Sequence, residues 1–149
     1  MRSNFLPVSS YPPAVKGIFG VYSICLLAGT STHVIALLRH GLLAFPVPLI
    51  IGVFWDSLTV LDPLAVALLW WRPKAGLRLT LGIMVLDICI NTSTYLAGCF
   101  GPPMPNMVPL TLFDQALFGL FVFITAPLTY QQLQKAYRER TVSAQTQAT

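Results

Sequence analysis

Residues 46–71 read PVPLIIGVFWDSLTVLDPLAVALLWW, and apart from Ser57, Thr59 and two aspartates every side chain in the run is apolar. About 20 such residues in a helix cross the roughly 30 Å of hydrocarbon in a bilayer. The run therefore reads as a transmembrane helix. It also raises the functional question, because Asp56 and Asp62 lie inside it.

Outward from this run the chain repeats the pattern. Apolar stretches over about 17–38, 79–98 and 108–130 are each long enough to span. Breakers separate them: Arg39-His40-Gly41, Arg72-Pro73-Lys74, and a longer connector holding Gly101-Pro102-Pro103 and Pro105. The expectation is an all-α polytopic membrane protein with four transmembrane helices in an up-down bundle. Residues 1–16 are expected as a mobile arm, 131–140 as a helical extension into water, and 141–149 as a disordered tail. The first run is as long as a span and no Ala-x-Ala cleavage site follows it, so it reads as a retained helix and not a secretory signal.

Composition agrees. Of 149 residues 55% are hydrophobic and 9% charged, with a mean hydropathy of +0.70, whereas about a quarter of a soluble domain is charged. A soluble enzyme, a disordered chain and a secreted disulfide scaffold are all excluded on this ground. No basic cluster interleaved with aromatics marks a nucleic-acid surface. The 3 cysteines, Cys25, Cys89 and Cys99, have no metal or redox spacing. No cofactor or metal site is expected.

Basic residues fix the expected orientation. With four spans, one side collects Arg2, Lys16, Arg72, Lys74, Arg78, Lys135, Arg138 and Arg140 of the 9 Lys and Arg, and the other side has only Arg39. Both termini are therefore expected in the cytoplasm. Trp70, Trp71, Tyr130 and Tyr137 sit at that face as an aromatic belt. The expected location is the plasma (inner) membrane if the chain is bacterial.

Of the 5 acidic residues, Asp56, Asp62, Asp87 and Asp114 fall within spans, and no Lys or Arg lies deep enough to neutralise them. Each costs about 2.5 to 3.5 kcal/mol near a helix centre on insertion scales, and such residues tend to be functional. Counting inward at about 1.5 Å per residue, Asp56 and Asp87 come closest to the midplane. Asp62 lies nearer the basic side, and Asp114 and His33 in the opposite third. Ser23, Thr30 and His33 share a stripe, as do Asp87, Asn91 and Thr94, while Thr111, Asp114, Gln115, Thr125 and Thr129 make a broader one. Pro63 follows Asp62 and removes the helical bond to the Thr59 carbonyl, which is tolerated at that depth against protein or a wet cavity.

Blander readings stand beside these. Thr30, Ser31, Thr32, Thr80 and Ser93 are expected to pack helices or bond their own carbonyls. His33 alone reads as a packing residue, Asp114 as reaching headgroup water, and Asp62 as ending a half-helix. Asn91-Thr92-Ser93 matches a glycosylation acceptor but lies inside a span. His33 and His40 both belong to the first helix or its end, so they cannot build a bis-histidine haem site in one chain.

The expected function is a site formed by Asp56, Asp87, Asn91, His33, Asp114 and Asp62 that binds or conducts a proton, a small cation or a cationic amphiphile. Conduction would call for a homo-oligomer, since four helices enclose little volume. A second reading is an interaction protein, either an accessory subunit or an immunity protein against a pore-forming toxin, whose aspartates meet basic groups of another membrane protein. A third is an intramembrane enzyme acting on a lipid or sterol. In layout, and in residues such as Trp55, Asp56 and Asp87, the chain resembles the EXPERA family of sterol isomerases and ligand-binding proteins. It has no intramembrane Glu, and no catalytic residue is carried over.

Overall fold

The computed structural model describes residues 11–99 and 107–146. They form four helices: α1 (Pro13–His40), α2 (Leu49–Trp71), α3 (Pro73–Leu96) and α4 (Met107–Thr146). All four are long and apolar enough to cross a membrane. Proline opens three of them: it occupies the first turn of α1 and α3 and precedes α2 as Pro48. Its fixed φ suits a helix start, and its missing N–H is not needed there. Gly41, at φ 86°, ends α1 and donates its N–H to Leu37 at 2.9 Å.

Several boundaries differ from the sequence reading. α1 begins at Pro13, inside the expected 1–16 arm, whose residues 1–10 lie outside the described residues. Arg72-Pro73-Lys74 is no loop, because Arg72 alone separates α2 from α3. Gly76 makes that corner feasible: a Cβ there would overlap the backbone of Leu68 and Leu69. α4 continues to Thr146, through most of the expected 141–149 tail. Its 40 residues extend to about 60 Å at 1.5 Å each, about twice the hydrocarbon thickness.

α2 packs against α1 and α3, and α4 against α3 and α1. The outer surface is apolar, with Ile24, Leu38, Ile50, Val60, Leu86, Phe113, Leu120 and Ile124 exposed. A water-soluble monomer does not expose apolar surface on this scale, so these side chains are the lipid face of an integral membrane protein.

The interior is uneven. Where the start of α1 meets the ends of α2 and α4 and the start of α3, it is solid: Val15, Phe19, Tyr22, Leu58, Leu69, Val122 and Leu133 are fully buried. The Trp70 indole donates to Ser23 Oγ at 3.1 Å and stands edge-on to Phe19. Lys74 Nζ lies 4.4 Å from the Tyr137 ring centre. We call this the basic end, and the opposite, far end is hollow.

Candidate binding site

A cavity of about 690 Å³ fills the far half, lined by all four helices and by Phe45 of the α1–α2 loop. Its walls hold Leu26, Gly29, His33, Trp55, Asp62, Ile83, Met84, Asp87, Asn91, Gln115 and Phe118 among others. The volume matches that of a typical small-molecule pocket, as does a largely apolar lining with a few convergent polar groups.

One wall is a hydrogen-bonded chain through α2, α3 and α4. The Trp55 indole donates to Asn91 Oδ1 at 2.7 Å, and Asn91 Nδ2 donates to Asp87 Oδ1 at 3.0 Å. Gln115 Nε2 donates to the other Asp87 oxygen, and its own carbonyl accepts from Asn91 at 3.3 Å. Asp87 thus accepts on both oxygens, as an ionised carboxylate does. It is provided for by its neighbours.

Asp62 is not. It is 4% exposed, lines the cavity, and its Oδ1 is buried without a hydrogen-bond partner. Asp87 lines the same cavity, so two acidic groups face it. α1 reaches it at Gly29, where a Cβ would stand 3.2 Å from Asp62 Oδ2. A buried polar atom left without a partner costs about 1–3 kcal/mol, more if charged. A donor arriving in the cavity removes that cost.

The remaining expected site residues take other places. Asp56 is absent from the described cavity lining. Its Oδ2 instead accepts the backbone N–H of Leu43 at 2.9 Å. Leu43 has φ 54°, a conformation uncommon for a leucine, so the carboxylate holds a strained turn in the α1–α2 loop. Phe45 of that loop stacks edge-on against Trp55, with ring centres 5.7 Å apart. His33 lines the cavity. Asp114 lines it too but is exposed. The structure therefore brings Asp62, Asp87, Asn91, His33 and Asp114 to one cavity and sends Asp56 to the loop.

Thr30, Ser31 and Thr32 donate to carbonyls of their own helix, the bland role expected of them. Thr80 Oγ1 is buried without a partner. Two residues essential to the polar wall, Trp55 and Gln115, were not among the expected site residues. The available signals were a tryptophan far from either membrane interface and a glutamine on the stripe of Asp114.

Among the described residues no group of three or more His, Cys, Asp or Glu is gathered as a metal would need. No protein-family profile, curated protein or solved structure matches the chain. The resemblance to the EXPERA family thus remains one of layout.

Proposed function

We propose that the protein is a membrane-embedded binding protein whose ligand presents a cationic or hydrogen-bond-donating group to Asp62. The observation that carries this reading is the unpartnered Asp62 Oδ1 facing a cavity of about 690 Å³. Asp87, held through Asn91 and Gln115, adds negative potential beside it, so an ammonium group is favoured over a neutral donor. Binding is favoured over conduction because Phe19, Tyr22, Leu58, Leu69 and Val122 fill the interior at the basic end. The hydroxyls buried there, those of Thr80 and Thr129, have no hydrogen-bond partner and so form no hydrogen-bonded chain leading on from Asp62.

The accompanying topology is an up-down bundle with both termini in the cytoplasm, at the plasma membrane if the chain is bacterial. The basic end carries Lys16, Arg72, Lys74 and Arg78 and so faces inward by the positive-inside rule. The interaction-protein reading is less favoured. Carboxylates meant for a partner's basic helix belong on the lipid face, whereas Asp62 and Asp87 line the interior.

The test is titration of the purified protein in lipid nanodiscs with a primary alkylamine, reading affinity calorimetrically. Asp62→Asn keeps shape but loses the charge, and should weaken binding by about 10- to 100-fold, as charge-assisted hydrogen bonds are worth about 1.5–3 kcal/mol. Glu139→Gln, on the exposed end of α4, should leave affinity unchanged. Equal binding by wild type and Asp62→Asn would sink the reading.

A further inference from the structure

The cavity walls and its rims differ in exposure. On α2 and α3 the lining residues Trp55, Asp62, Ile83 and Met84 are buried. On α1 and α4 the lining residues Ala28, Thr32, Thr111 and Asp114 are exposed. Ser23 and Phe19 mark the α2-facing side of α1 through their contacts with Trp70. Nine positions beyond Ser23, at about 100° each, Thr32 points the opposite way, with Cys25 and Ala28 on the same flank. On α4, Thr111 and Asp114 share a stripe with Phe118, which faces Tyr22 of α1. The exposed rims are thus the two edges of the seam between α1 and α4.

That seam is pinned at one level. The Tyr22 hydroxyl meets Thr125 Oγ1 at 2.7 Å, and its ring stands edge-on to Phe118 and Phe121. Farther from the basic end, the cavity lies between the two helices. Beside the opening, Ile24 and Ile35 on α1 and Phe113, Leu117 and Leu120 on α4 are exposed and apolar, so the mouth lies at the depth of the acyl chains.

We infer that the ligand is a single-chain amphiphile whose ammonium head lies at Asp62 while its chain leaves through the α1–α4 seam, and that it loads from the bilayer by that route. The inference rests on the Asp62 reading above, and it adds the ligand's shape and its point of entry. A compact cation would leave the space beside Leu26, Leu112 and Phe118 unfilled. A chain fills it and continues among the lipid tails.

The experiment uses the full chain in phosphatidylcholine vesicles and dodecylamine with a photoactivatable diazirine at the end of its chain, with labelled residues read by mass spectrometry. The expected label falls on the flanking faces of α1 and α4, around Ala28, Thr32 and residues 113–120, and unlabelled dodecylamine competes it away. Ala28→Trp and Thr32→Trp, each at an exposed position, should lower labelling by at least about tenfold, equivalent to about 1.4 kcal/mol. Val85→Trp on the lipid face of α3 should not. The two seam variants are independent, so misfolding of one leaves the other to decide. Label that depends on Asp62 but falls on the α1–α2 loop overturns the seam while the head-group assignment stands. Seam label undiminished by Asp62→Asn overturns the head-group assignment instead.

Discussion

Asp62 and Asp87 are the same residue type in the same cavity, and their surroundings give them opposite characters. Asp87 is held by two amides, and Asn91 is the joint of that arrangement because it serves Trp55, Asp87 and Gln115 together. Asn91→Leu should therefore cost about 1–3 kcal/mol, read as a lower midpoint of thermal unfolding in detergent, and should shift Trp55 emission as its indole loses its acceptor. Away from the bilayer, Tyr11 is buried against Phe19. Burial first, then the neighbouring Tyr137 hydroxyl, push its phenol up to about 12 from 10.0. A phenol whose pKa is raised by folding contributes stability that is complete below its unfolded value and disappears as pH climbs through its folded one. Thermal unfolding followed between those two values should show that decline, and Tyr11→Phe should flatten it.

At the scale of elements, the α2–α3 corner has the least tolerance. Gly76→Ala would drive a methyl into the Leu69 backbone, which no side-chain rotation relieves. The loss should exceed about 3 kcal/mol, beyond the usual range for one substitution, measured by unfolding in detergent. The helices themselves were legible in the sequence because length and hydropathy decide a span. The corner was not, since Arg72-Pro73-Lys74 reads equally as a connector or as a helix start, and only the approach of Gly76 to Leu69 separates these. The candidate site was legible in part for a similar reason. Depth follows from counting residues, so Asp62, Asp87 and Asn91 could be named. Which face a helix turns inward follows from packing, so the engagement of Asp56 with Leu43 could not be read from the chain.

At the scale of the whole molecule, a solid basic end and a hollow far end make an asymmetric body, and its orientation is open to direct measurement. Single cysteines placed at Ser143 near the end of α4 and in the α1–α2 loop at Ala44, in a background without Cys25, Cys89 and Cys99, should label oppositely with an impermeant maleimide. The loop should react in intact cells, and the α4 position only after permeabilisation. Reversing three charges at the α2–α3 corner, with Arg72, Lys74 and Arg78 each changed to Glu, should erode that pattern, because the basic residues there bias the insertion.

A single residue, Arg72, joins α2 to α3, too short a tether for one helix to settle while its partner waits outside. So short a link favours entry of the pair into the lipid as one hairpin during synthesis. The Trp55 and Asn91 side chains would then meet early, and half of the polar wall would stand before α4 leaves the ribosome.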